Sequence, residues 1–212
     1  TAIMDIQKQG AIVLDNLTTG TDLFTMLRNL WMGRFEKKST VQMYLDQLGT
    51  ESIFKSMQEM ADDYPDLVKE STITRSQVGP LDQNKEYASA LKTRKVTRQL
   101  IVSLMDQYEL DALIYPVRTL PAWKINEGMS SSEWYEKTGA EAHNRVSAVT
   151  DLPALVVPAG FTQEGIPISL EFLGRPYSEP TLIRLASGYE HVINHRKTPP
   201  HTPPLKGEII HY

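Results

Sequence analysis

The apolar positions of this 212-residue chain change period along its length. Ile3 and Ile6 share one helical face over Thr1 to Gln9, and Gly10 is placed to end that helix in the left-handed region. Ala11-Ile12-Val13-Leu14 follows as a short β-branched run, predicted to be a buried strand and, after a helix, to contribute to a parallel or mixed sheet. The next stretch is helical. Thr21 or Asp22 is positioned to cap a helix carrying Leu23, Met26, Leu27, Leu30 and Trp31. A second helix runs through Val41, Tyr44, Leu45 and Leu48 to Gly49. A third holds Ile53, Met57 and Met60 and stops near Tyr64-Pro65. Past Gly79-Pro80, the spacing of Tyr87, Leu91, Ile101, Leu104 and Met105 predicts one long helix from about Asn84 to Tyr108.

After that helix the period shortens. Asp111 to Pro116 reads as a strand stopped by proline. Ser130-Ser131-Ser132-Glu133 has capping-box spacing and predicts a helix from Glu133 toward Val149. Leu152 to Val157 and Ile166 to Leu173 are apolar strands joined by a turn with Gly160 and Gly165. Glu179-Pro180 opens a last helix bearing Leu182, Leu185, Ala186 and Tyr189. From Thr198 the chain is proline-rich and expected to be extended. No repeat and no linker between two cores is evident, so one domain, or part of one, is expected. Its class is α/β, a mixed sheet flanked by helices.

Composition narrows function mainly by exclusion. Hydrophobic residues make up 41% and charged residues 23%, a globular balance. Net charge is -4 and no Lys/Arg run forms a basic stripe, so nucleic acid is not an expected partner. Zero cysteines exclude thiolate nucleophiles, disulfides and Cys-ligated zinc. A cysteine-free chain suits the cytoplasm, the favoured compartment, and is equally compatible with export. No apolar run approaches the roughly 20 residues that cross a bilayer, so no membrane partner is expected. The chain opens at Thr1 within a helical pattern and is expected to be cut from a longer protein.

No phosphate-cradling glycine loop, G-x-S-x-G elbow or H-E-x-x-H sequence occurs. Ser130-Ser131-Ser132 is better explained by capping than by nucleophilic catalysis. His191 and His195 stand one turn apart, a metal-compatible spacing, but without an acidic third ligand nearby. Their place beside Arg196 suits the end of a helix. The residues alone therefore reach an α/β domain without a site.

Longer stretches carry more information. Asp151-Leu152-Pro153-Ala154-Leu155-Val156-Val157-Pro158-Ala159-Gly160-Phe161, continued by Gly165-Ile166-Pro167-Ile168-Ser169-Leu170-Glu171-Phe172-Leu173-Gly174-Arg175-Pro176, resembles the amidase signature family. Asp111 to Pro116 with Pro121-Ala122 resembles the strand preceding that family's substrate-side loop. The region Phe35-Glu36-Lys37 fits its middle section, and residues 1–80 otherwise match weakly. The family commonly has Gly where Asp151 stands and Gln where Glu171 stands.

The resemblance implies the C-terminal portion of the amidase signature fold over residues 1–212, with the catalytic N-terminal half absent. It implies hydrolysis of carboxylic amides to acid and ammonia or amine through a Ser nucleophile, a second Ser and a Lys base. Those three lie upstream in the family, so no catalytic residue is assigned here and the fragment alone is expected to be inactive. The helix from about Glu133 to Val149, which precedes the Pro153-Ala154 strand, is implied to wall the acyl pocket, which makes Thr138, Ala142, Arg145 and Val146 substrate-binding candidates. Arg98 is a further candidate for a polar or carboxylate end of the substrate. No metal or organic cofactor is implied. The implied partners are a small-molecule amide, the missing N-terminal half and a second copy of the chain. Two alternatives stay open: the A subunit of a glutamine-dependent tRNA amidotransferase, and a truncated binding module without activity.

Overall fold

The computed structural model describes residues 2–21, 23–28, 30–67, 74, 78–121 and 143–197, without the side chains of Phe24, Thr25, Arg28 and Asn144. It divides into two compact units, one formed by Thr1–Phe24 with Arg98–Tyr212 and the other by Thr25–Thr97. Among the described residues no helix is long and apolar enough to cross a membrane.

The second unit is helical. Helix α2 (Leu23–Arg28) leads into it, α3 (Gly33–Leu48) packs on α4 (Met57–Asp63), and the first part of α5 (Lys85–Gln107) completes it. Ser56 starts α4 by accepting a hydrogen bond from the Glu59 amide at 3.1 Å, which satisfies one of the donors a helix start leaves open. Leu27, Leu30, Met32, Phe35, Leu45, Met57, Ala61 and Ala90 are buried. The Phe35 ring meets Tyr87 edge-on at 5.6 Å, and the Tyr87 hydroxyl donates to Glu36 at 2.9 Å. That bond, with burial and the Glu36 charge behind it, holds the phenol's pKa above its ordinary value.

Two expectations fail in this part of the chain. The first helix stops at Arg28, leaving Leu30 and Trp31 outside it, and Trp31 is exposed rather than packed on its face. The third helix begins only at Met57, because Ser56 is the residue that caps it; Ile53 lies before it and is exposed. The long helix follows the pattern closely, running from Lys85 to Gln107.

Among the described residues the first unit is built on three strands, β1 (Leu113–Pro116), β2 (Ala154–Phe161) and β3 (Pro167–Leu173), in the order β1-β3-β2. Both pairings are antiparallel, so the two strands expected side by side, β2 and β3, are neighbours. Ala11–Leu14, expected as a strand of a parallel or mixed sheet, is irregular and Ile12 is almost wholly exposed. An apolar run becomes a strand only where a neighbouring strand takes up its backbone groups, and none of the three pairs with it. Pro116 and Pro158 sit on the two edge strands, where a missing N–H removes no bond toward β3 that the ladder requires. Gly160, at φ 126, occupies the irregularity in β2, a conformation that side-chain-bearing residues avoid.

One face of this sheet is covered by α7 (Glu179–Val192), whose buried Leu182, Ala186 and Tyr189 recur at i, i+4 and i+7. They pack with Val157, Leu170 and Phe172, and Ala2 and Ile6 of α1 (Ala2–Lys8) join at the margin. Gly10, at φ 89, ends α1 as the sequence indicates. The helix expected from Glu133 to Val149 is described only from residue 143. There it is a 3-10 turn, His143–Arg145, followed by a short α6 (Val146–Thr150). The serine run at 130–132, Glu133 and the proline-rich tail from Thr198 lie outside the described residues.

Candidate functional site

The sheet face opposite α7 carries the polar constellation. Strand register sets Tyr115, Glu171 and Val156 in one row across β1, β3 and β2. Because side chains alternate along a strand, this row shares a face with Leu113, Leu173 and Ala154, and Phe172 and Leu170 point the other way toward α7. Glu171 is 4% exposed, although it is a carboxylate, and Val156 beside it is 51% exposed. The row is closed at its centre and open at β2.

Burying a carboxylate is costly unless donors reach it. Tyr115 provides one, its hydroxyl donating to Glu171 Oε1 at 2.8 Å. Burial, the Glu171 charge and this bond together push the Tyr115 phenol far above its ordinary pKa, in that order of size. The hydroxyl thus keeps its proton at any physiological pH. The His143 ring meets Tyr115 edge-on at 5.9 Å, and its Nδ1 lies 3.3 Å from the Pro116 carbonyl oxygen. A carbonyl only accepts, so this contact requires the proton on Nδ1, which leaves Nε2 of neutral His143 as an acceptor.

The candidates drawn from the sequence fall around this cluster unequally. Arg145 is half-buried and precedes the first residue of α6 without a side-chain capping bond, two residues after His143. Val146 is buried, and its carbonyl accepts from the buried Thr150 hydroxyl at 2.6 Å. Arg98 is half-buried on α5. Thr138 and Ala142 lie outside the described residues. Tyr115, His143 and Glu171 were not among the candidates. One signal was present: Glu171 stands as a single charge between Leu170 and Phe172, a polar residue in a strand otherwise apolar there.

A second feature lies on the α7 side of the sheet. A groove of about 430 Å³ runs between β2 and the end of α7, lined by Leu155, Pro158, Ile183, His191, Ile193 and His195 among others. Nearby, Tyr189 Oη and His195 Nε2 are buried without a hydrogen-bond partner among the described residues. Among the described residues no group of three His, Cys, Asp or Glu side chains is placed to hold a metal ion.

The model of the family described as Amidase matches residues 12–183. The chain belongs to the amidase family. Among curated relatives, it is similar to the A subunit of glutamyl-tRNA(Gln) amidotransferase from Myxococcus xanthus, with 34% identity over 104 residues, 49% of this chain and 21% of the relative. The corresponding protein of Geobacter metallireducens, which bears the same name, is 31% identical over 126 residues, 55% of this chain and 24% of the relative. The matched region thus spans less than a quarter of the length of these relatives. Among solved structures, the peptide amidase of Stenotrophomonas maltophilia superposes with a TM-score of 0.71 at 23% identity, covering 94% of this chain and 40% of its own. An amidase family protein of Bacillus anthracis gives 0.66 at 21% identity, covering 92% of this chain and 36% of its own. These likenesses show the amidase signature fold.

Proposed function

We propose that this chain is the C-terminal part of a single amidase domain that hydrolyses carboxylic amides. The observation that carries the reading is the amidase family match over residues 12–183. In this reading a Ser nucleophile, a second Ser and a Lys base lie upstream in the domain, and this chain supplies no attacking group. It contributes the sheet and the wall of the acyl pocket, with Arg145, Thr138, Ala142 and Val146 on the segment before β2 and Arg98 on α5. Val146 would serve as packing behind that wall, since it is buried. The cytoplasm is the compartment proposed, and the upstream half of the domain or a second copy of the chain are the proposed partners.

The test pairs turnover with covalent labelling. The 212-residue chain, offered a primary amide and a serine-reactive fluorophosphonate, is expected to release no ammonia and to take up no stoichiometric label. Stoichiometric labelling would overturn the assignment of the nucleophile to an upstream segment. The longer reading frame is expected to gain both properties, and failure to do so would end the hydrolase reading.

A second reading is favoured by the two curated relatives named above, which are amidotransferase A subunits. It assigns glutamine as the amide, with the acceptor machinery supplied by partner subunits. Comparing ammonia release from glutamine and from a C-terminal peptide amide, in the longer protein, separates the two.

A further inference from the structure

Strand register fixes which backbone groups of the sheet face outward. The Gly174 amide donates to the Pro153 carbonyl at 2.9 Å, and the Val117 amide donates to the Ser169 carbonyl at 3.2 Å. Carried along the registers of β2 and β1 on β3, these bonds set the alternation. Leu155 and Val157 bond to Phe172 and Leu170, and Leu113 and Tyr115 bond to Leu173 and Glu171. The backbone groups of Ala154 and Val156 therefore point away from β3, as do those of Ile114 and Pro116.

The two edges are protected unequally. On β1, Pro116 has no N–H and its carbonyl oxygen is met by His143 Nδ1. The second half of β2 is blunted by Pro158 and by the irregularity before Gly160. Its first half has no such device. No charged side chain occurs in Ala154–Phe161, and both Ala154 and Val156 are exposed. Among the described residues no hydrogen bond from outside the β2–β3 pair reaches their backbones.

This open edge is complementary to itself. Placed antiparallel about a two-fold axis through Leu155, Ala154 of each copy exchanges both backbone bonds with Val156 of the other. The side chains agree with that register. Leu155 meets Leu155 on the α7 face, where it lines the same groove as the exposed Ile183. Ala154 meets Val156 on the opposite face, so apolar groups oppose apolar groups and no like charges face each other. Pro158, with no N–H to offer, falls beyond the paired residues.

We propose that the first half of β2 is the docking surface for a second copy of this chain, which extends the sheet across a two-fold axis. This surface specifies where the second copy named above binds and stands independently of the hydrolase reading, so absence of turnover leaves it intact.

The test is sedimentation equilibrium of the 212-residue chain, with amide hydrogen exchange followed by NMR over the same range of concentrations. A dimer is expected, and exchange at Ala154 and Val156 should slow as it forms. Leu155 and Val157, already bonded to β3, should exchange alike in monomer and dimer. Val156→Pro removes only an outward N–H, as Pro158 already does two residues on. It should weaken the dimer about tenfold, the effect of losing one bond from each copy. Val156→Thr keeps the N–H and should dimerise as the parent does. Should Val156→Pro fail to fold, Val156→Lys carries the test, because a charge on a strand edge opposes pairing, and it too should weaken the dimer. A monomer at every concentration would overturn the proposal, as would a dimer that leaves exchange at Ala154 and Val156 unchanged. Protection of these amides in the monomer would mean that another segment covers the edge, and overturns it as well. So does a folded Val156→Pro or Val156→Lys chain that dimerises like the parent.

Discussion

The Tyr115 hydroxyl donates to Glu171 Oε1 at 2.8 Å between strands that are direct neighbours, although the residues are 56 positions apart. The bond satisfies a carboxylate that the sheet has removed from water, and the energetic consequences are asymmetric. Deleting the donor leaves a buried charge unpaired, whereas neutralising the acceptor leaves a pair that still bonds. Tyr115→Phe is therefore expected to lower stability by about 1–3 kcal/mol, and Glu171→Gln by less. Urea unfolding of both variants checks the order. A larger loss for Glu171→Gln would mean that the carboxylate charge has another partner.

The same pair sets an alkaline limit. The Tyr115 pKa is raised in the folded chain above its ordinary 10.0, so the folded state holds this proton more tightly than the unfolded state does. Its contribution is complete below the unfolded value and is lost as pH rises beyond it toward the folded value. Tyr189 is shifted upward too, by burial and then by the Asp5 charge, and adds in the same direction. Unfolding free energy should fall above about pH 10, and Tyr115→Phe should flatten that fall. Denaturant midpoints across the alkaline range measure it, and identical pH profiles for the two proteins would contradict the assignment.

Register in β2 yields a contrast between adjacent residues. Val157 is 1% exposed against α7, and Val156 on the opposite face is 51% exposed. Val157→Ala is expected to cost about 2 kcal/mol, with the methyl groups and the space they filled both lost. Val156→Thr should stay within about 0.5 kcal/mol. A reversed order of costs in thermal or urea unfolding would indicate a one-residue slip, which exchanges the two faces.

Arg175 anchors the turn after β3. It donates to Asp106 at 2.8 Å and also to the Leu110 carbonyl. The Asp106 side chain is largely exposed, so its ion pair is screened. Asp106→Asn should cost no more than about 1 kcal/mol. Arg175→Ala removes the carbonyl's donor as well and should cost about 1 kcal/mol beyond that. Salt titration of the unfolding midpoint separates the contributions, because only the screened ion pair should respond to salt.

Asp151 ends α6 in the left-handed region, at φ 53 and ψ 33. The amidase resemblance places Gly there, and the geometry supplies the reason. Glycine adopts this conformation freely, and Asp tolerates it better than most residues. Asp151→Gly is expected to change stability by less than about 1 kcal/mol, and Asp151→Val to lower it by about 1–2 kcal/mol. Calorimetry of the two variants decides this, and a tolerated valine would argue against the left-handed backbone.

Much of the element order follows from local pattern. The long helix, the strand at Leu113–Pro116, the β2–β3 pair and the last helix with its i, i+4, i+7 face occur where periodicity places them. Failures arise where local pattern is insufficient. Ala11–Leu14 has the composition of a strand, but the three described strands leave it no place in their order. Ile53 has helical spacing to Met57, yet the Ser56 cap starts the helix beyond it. The family resemblance singled out Arg145 and the segment before β2, whereas local pattern drew no attention to Tyr115, His143 or Glu171.

The sequence by itself determined the family, the helical and extended segments, and the turns that end them, because these depend on neighbours a few residues away. Only the tertiary structure decided which strand face is covered by α7 and which holds a buried carboxylate. Glu171 looks like any strand charge until β1 is aligned beside it, since a buried acceptor is tolerable only where the fold delivers a donor from a distant part of the chain.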